Sequence, residues 1–77
     1  MSYRVDASYS TQQWLKGKPS HVLSAYDGMV RQLASDPWRV GHPTRSSNMR
    51  EYAFCVEGIA TFVITDTHVT VTIVGVR

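Results

Sequence analysis

The last third of the chain constrains the fold most strongly. It contains three runs rich in β-branched and aromatic residues, which favour strands, and only very short connections separate them. Gly58, which is free to adopt a positive φ, and the pair Asp66-Thr67 supply the turn-forming residues. Connections this short join antiparallel neighbours. The sequence therefore predicts a three-stranded meander over residues 50–57, 59–65 and 68–76.

The residues before this meander predict one strand and two helices. Alternating polar and apolar residues over 3–7 indicate a strand, and Ser10 with Gln13 has the form of a capping box at the start of a short helix. Apolar residues at intervals of three and four over 22–33 predict a second helix, which ends before Pro37. The resulting order is β-α-α-β-β-β. We expect an α+β fold in which an αα hairpin packs on a curved, mainly antiparallel four-stranded sheet.

Length and composition limit the kind of protein this can be. With 77 residues the chain has room for one core, and we expect a single domain over 1–77. The 43% hydrophobic and 18% charged residues are typical of a globular protein. Cys55 is the only cysteine, so an intramolecular disulfide is excluded and a cytoplasmic location is expected. No apolar stretch approaches the roughly 20 residues that a membrane-spanning helix needs.

Metal and cofactor chemistry have no motif in this sequence. The three histidines, His21, His42 and His68, lie far apart, and no Cys-x-x-Cys or His-x-x-x-His pair is present. No glycine-rich phosphate loop follows the first predicted strand. We expect Cys55 to lie inside a strand and to pack as a small hydrophobic residue. The sequence thus predicts no metal and no cofactor.

Positive charge is concentrated in residues 37–50, which we call the basic segment. It contains Arg39, His42, Arg45 and Arg50 and no acidic residue, although the whole chain has a net charge of only +2. Arginine presents a planar fork of donors that suits phosphate, and histidine can move a proton near neutral pH. If the meander gathers these groups with Arg77 on one sheet surface, they could bind a phosphodiester and act on it. The alternative is a solvated loop whose charges only aid solubility.

A known family shows the same succession of elements over nearly the whole chain. An initial strand is followed by a helical hairpin ending Leu33-Ala34-Ser35-Asp36-Pro37, and then by a loop with Gly41. Arg50-Glu51-Tyr52 leads into a meander that ends Val74-Gly75-Val76-Arg77. This arrangement resembles the RelE/ParE family of bacterial toxins from toxin-antitoxin systems. RelE-like members are metal-independent, ribosome-dependent endoribonucleases that cut mRNA, ParE-like members inhibit DNA gyrase, and an antitoxin protein neutralises both.

The resemblance implies roles for particular residues. Arg77 is similar to the arginine of a Gly-x-Arg motif that contacts the scissile phosphate, and Arg50 is similar to a basic residue that opens the second strand. We therefore take Arg50, Arg77 and His42 as candidate catalytic residues, and Arg39 and Arg45 as candidate RNA contacts. Two features of the family have no counterpart. The arginine of the third strand falls at the positions of Ile59 or Ala60, and the acid-base Tyr or His beyond the last strand is missing.

Three functions remain open from the sequence. The first is a toxin-like protein that inhibits translation by ribosome-dependent mRNA cleavage, or that has lost the cleavage chemistry. The second is a ParE-like inhibitor of DNA gyrase, and the third is a non-enzymatic interaction module of the same fold. The resemblance implies a cognate antitoxin as a protein partner. A partner is also expected because the uncharged β-rich run over 68–76, if it formed an edge of the sheet, would pair with other chains unless it were covered.

Overall fold

The computed structural model describes residues 2–75 of the chain. Arg77, a candidate catalytic residue, lies outside the described residues. The elements in chain order are β1 (Arg4–Ala7), α1 (Tyr9–Leu15), α2 (Ser20–Ser35), a 3₁₀ turn (Pro37–Arg39), β2 (His42–Pro43), β3 (Met49–Cys55), β4 (Gly58–Thr65) and β5 (His68–Gly75).

The strands form one five-stranded mixed sheet in the order β1-β5-β4-β3-β2. β1 runs parallel to β5, and all other neighbours are antiparallel. The predicted α+β class and the β3-β4-β5 meander are confirmed, whereas the four-stranded β-α-α-β-β-β description is wrong in detail. The additional strand comes from the basic segment, where His42 and Pro43 pair with Glu51 and Arg50 of β3.

The β5 strand lies inside the sheet, between β1 and β4, so the described part of the run over 68–76 does not form an edge of the sheet. β1 covers the first half of β5, and α1 covers the next residues of the same strand. The hydroxyl of the fully buried Thr11 donates to the carbonyl oxygen of Val71 at 3.0 Å and accepts from the amide of Ile73 at 2.9 Å. The Thr11 hydroxyl thus makes hydrogen bonds to β5 beyond the point where its pairing with β1 ends.

The first helix begins earlier than its sequence pattern predicts. Ser8, not Ser10, is the N-cap residue, and its Oγ accepts a hydrogen bond from the amide of Thr11 at 3.3 Å. The predicted capping box of Ser10 and Gln13 is therefore wrong, because β1 ends at Ala7 and the helix begins at Tyr9. The end of α2 at Ser35 agrees with the prediction, since Pro37 follows and begins the 3₁₀ turn.

The core lies between the sheet and α2. On β4, Ala60, Phe62 and Ile64 are buried, while the alternate residues Ile59 and Val63 lie partly exposed on the opposite face. This alternation shows that one sheet face packs against the helices and the other does not. The remaining buried apolar residues that complete the core are Val22, Met29, Leu33, Val40, Val69, Val71 and Ile73.

The β3-β4 turn differs from the prediction in three respects. Gly58 does not have a positive φ; it is needed because a Cβ there would lie 2.5 Å from Cζ of Phe54. Val56 does not lie within a strand, as the predicted range 50–57 implied; it lies in the turn and is 91% exposed after a register irregularity between Ala53 and Cys55. Cys55 is the last residue of β3, so it lies in a strand as predicted, but it is only partly buried. Within residues 2–75, neither helix combines the length and the apolar character that crossing a membrane requires.

Candidate nucleic-acid interface

The basic segment begins with a well-anchored 3₁₀ turn. Residues three apart lie on the same side of a 3₁₀ helix, and Pro37 and Val40 are both buried. The amide of Val40 donates to the carbonyl of Pro37 at 3.2 Å, which closes the turn. Trp38 and Arg39 lie between these two anchors and are exposed. The local fold therefore directs Trp38 and Arg39 towards solvent.

Arg50 fastens the segment to the sheet. It pairs with the buried Phe62 and therefore lies on the helix-facing side of β3. Its Nε donates to the carbonyl oxygen of Val40, and its Nη2 donates to that of Gly41, both at 2.9 Å. Two of the five guanidinium N–H donors are thus used by the backbone of the basic segment. This arrangement gives Arg50 a structural task that the sequence does not reveal.

Gly41 allows the segment to approach β3 this closely. Its φ is +66°, a conformation that other residues rarely adopt, and a Cβ at this position would lie 2.1 Å from the carbonyl oxygen of Glu51. Glycine therefore permits β2 to pair with β3 directly after the turn. The close approach also brings the carbonyls of Val40 and Gly41 within reach of Arg50.

His42 lies on the other face of the sheet from Arg50. It pairs with Glu51 in the β2-β3 register, and its Nε2 is 3.6 Å from Oε1 of that residue. Successive strand residues point to opposite faces, so Arg50 and Glu51 lie on opposite faces of the sheet. His42 pairs with Glu51 and therefore lies on the same face as Glu51. The structure does not bring the two described candidate catalytic residues, Arg50 and His42, together on one surface. Arg77 lies outside the described residues.

The two candidate RNA contacts are both exposed. Arg39 is 86% exposed, and its Nε lies 3.3 Å from Oδ2 of Asp36. Such a surface ion pair contributes only about 0–1 kcal/mol, so a phosphate can replace the carboxylate at little cost. Arg45 is exposed, and no carboxylate among residues 2–75 lies within ion-pair distance of it. Arg39 and Arg45 are therefore accessible to an anionic polymer.

Sequence reasoning missed two features beside these arginines. An open groove of about 440 Å³ lies where α2 meets the 3₁₀ turn; its lining residues are Arg31, Gln32, Ser35, Asp36, Arg39 and Val40. Arg31 brings a further guanidinium to the groove and pairs with Asp27 at 3.0 Å on the exposed face of α2. The other feature is Trp38, whose side chain is among the exposed large hydrophobic groups. Its place directly before Arg39, at the start of the basic segment, was the available signal.

The two remaining histidines lie away from the basic segment. Nε2 of His21 is 2.9 Å from Oε2 of Glu57 at the β3-β4 turn, and this hydrogen bond lowers the pKa of the Glu57 carboxyl. Nε2 of His68 lies 2.6 Å from Oδ2 of Asp6, without the geometry of a hydrogen bond. Residues 2–75 contain no group of three or more potential metal ligands close enough to hold an ion.

Comparison of the chain with family models, curated proteins and solved structures found no match.

Proposed function

We propose that this protein is a toxin-like component of a toxin-antitoxin system, of the RelE/ParE kind, that inhibits translation by binding RNA through the basic segment. The observation on which this rests is the fixed presentation of Arg39 and Arg45. Arg50 holds the backbone of the segment against β3, while the two exposed arginines remain free to exchange weak surface contacts for phosphates.

The proposal does not include cleavage by Arg50 and His42. Cleavage of a phosphodiester needs a cation and a proton-transfer group directed at the same phosphate. Arg50 and His42 lie on opposite faces of the sheet, and Arg50 already binds two carbonyls. The third-strand arginine of the family is also absent, because β4 has Ile59 and Ala60 at its start. These features support a catalytically degenerate toxin that acts by binding.

A protein partner is part of the proposal. The uncovered face of β4 includes Ile59 and Val63, and Val56 is strongly exposed at the adjacent turn. An antitoxin that covers such apolar groups would increase the solubility of the toxin. Coexpression with the neighbouring reading frame, in the cytoplasm of a bacterial host, should therefore raise the yield of soluble protein. Equal solubility with and without that neighbour would count against an antitoxin.

The decisive experiment is a cell-free bacterial translation assay with purified protein. We expect dose-dependent inhibition with intact mRNA, as judged by primer extension. The double variant Arg39→Ala/Arg45→Ala should inhibit at least about tenfold less, because it loses two phosphate contacts. The control Arg4→Ala/Lys16→Ala removes the same charge from exposed positions outside the segment and should inhibit like the wild type.

Each other outcome selects a different function. New 5′ ends in the mRNA would show that cleavage is retained and would reject the degenerate form of the proposal. Undisturbed translation with inhibition of DNA supercoiling would favour the ParE-like alternative. No effect on either process, together with copurification of one small protein, would favour the interaction module. Equal inhibition by the two double variants would show that the basic segment does not mediate binding.

A further inference from the structure

Trp38 is held in an exposed position by the 3₁₀ turn. With Pro37 and Val40 buried on one side, Trp38 lies on the outer side of the turn, and the residue is 44% exposed. A single exposed hydrophobic residue is common and needs no explanation by itself. Here, however, the backbone that carries the indole is anchored on both sides, by the buried Pro37 and Val40.

The surroundings of Trp38 indicate the chemistry of this ligand. Arg39 follows it directly and lines the groove of about 440 Å³, where Arg31 contributes a second guanidinium. This volume is within the roughly 300–1,000 Å³ typical of small-ligand sites. The aspartates that pair with the two arginines do so at exposed positions. Phosphates, which arginine binds through two parallel hydrogen bonds, can replace those aspartates.

A planar aromatic group beside exchangeable arginines suits single-stranded nucleic acid. Proteins that bind single strands combine cations that follow the backbone with aromatic side chains on which bases stack. An acidic peptide would also bind the arginines, but it would need an aromatic residue at the right place to stack on the indole, whereas every nucleotide carries a planar base next to its phosphate. The combination of Trp38 with Arg39 and Arg31 therefore favours RNA over an acidic protein segment.

We propose that Trp38 is a stacking platform for an unpaired base of single-stranded RNA, and that Arg39 and Arg31 bind the adjoining phosphates. This inference rests on the proposed function, which it deepens by naming the ligand as single-stranded rather than double-stranded RNA. Stacking makes no hydrogen bonds to base edges, so the site accepts any base.

Fluorescence anisotropy with labelled 12-nucleotide oligo(U) tests the proposal at 50 and 150 mM salt. Stacking predicts that Trp38→Ala weakens binding by between about 5- and 150-fold without changing the salt dependence. Trp38→Phe keeps a ring and should lose much less affinity. Arg39→Ala should instead reduce the slope of log K against log salt by about 0.7. Tyr9→Ala, which removes another exposed aromatic residue, is the matched control and should bind like the wild type.

A second measurement reports on the indole itself. The chain has two tryptophans, and Trp14 contacts Phe54 with ring centroids 6.0 Å apart. In a Trp14→Phe background, oligo(U) should quench the fluorescence of Trp38. Thermal unfolding of each variant shows whether it is folded. A folded Trp38→Ala variant that binds oligo(U) like the wild type overturns the proposal, and so does a wild-type protein that fails to bind oligo(U) at 50 mM salt.

The results separate this inference from the proposed function. If oligo(U) binding depends on Trp38 but translation is not inhibited, the stacking site stands and the toxin-like function fails. If translation is inhibited equally by wild type and Trp38→Ala, the toxin-like function stands and the stacking site fails. Loss of capture by a coexpressed protein partner, with RNA binding unchanged, would assign Trp38 to a protein interface and reject the inference.

Discussion

Replacing Arg50 tests whether this residue is a structural clamp or a chemical group. Hydrogen bonds that involve a charged group contribute about 1.5–3 kcal/mol each, and removing the donor leaves its acceptors without a partner. The bond to Val40 is partly buried, whereas the carbonyl of Gly41 is exposed and can bind water instead. We therefore count one effective bond and expect Arg50→Met to lower the free energy of unfolding by about 2 kcal/mol.

Methionine is the informative replacement because it retains an apolar stem and removes the guanidinium. For a domain of this size, a loss of about 2 kcal/mol corresponds to a decrease in Tm of about 8–16 °C. Urea unfolding and calorimetry measure both quantities. Arg50→Lys should recover less than half of the loss, because a single ammonium group does not reproduce the fork that reaches Val40 and Gly41 together.

The refuting result combines stability with activity. If Arg50→Met unfolds within about 0.5 kcal/mol of the wild type and no longer inhibits translation, the clamp is not significant and Arg50 contacts RNA directly. If the clamp is correct, inhibition by Arg50→Met should follow the loss of order in the basic segment. Amide hydrogen exchange then rises at Val40 and His42 before the core exchanges.

Three further predictions concern other positions. Gly41→Ala should lower the free energy of unfolding in urea by about 2–4 kcal/mol, because of the positive φ and the clash with a backbone carbonyl. Gly28→Ala, which adds a methyl group in open space within α2, should instead raise it by about 0.5–1 kcal/mol. Equal effects of the two variants would contradict the close approach of β2 to β3. Thr11→Val should cost about 1–3 kcal/mol because it leaves the buried amide of Ile73 without a partner, while the carbonyl of Val71 keeps its bond from the amide of Ser8, and Thr11→Ser should restore most of this in the same assay. The hydrogen bond from His21 is the main cause of the lowered pKa of Glu57. The lowered pKa stabilises the fold at pH values above the ordinary pKa of 4.5, and this contribution is lost as the pH falls through the lower pKa of the folded state. The difference in Tm between wild type and Glu57→Gln should therefore shrink in acid, and a difference that is constant down to about pH 2 would contradict this reasoning.

The sequence predicted the elements whose patterns are local. The meander and α2 follow from runs and spacings that extend over seven or more residues, and tertiary contacts only adjust their ends. The parts that failed depend on contacts distant in the chain. Thr11 lies in a helix but satisfies β5, sixty residues away, and no local pattern distinguishes it from an ordinary helix residue. The additional strand β2 likewise exists only because Gly41 permits its approach to β3.

The site shows the same limit for a reason of geometry. Charge within 37–50 was readable from the sequence, and the exposure of Arg39 and Arg45 agrees with an accessible segment. Convergence was not readable, because it depends on which face of the sheet each side chain occupies. Alternation alone separates Arg50 from Glu51, but the pairing of His42 with Glu51 requires the register of a two-residue strand. One residue of register shift would place His42 beside Arg50, so the proposal of a binding rather than a cleaving site depends on that register.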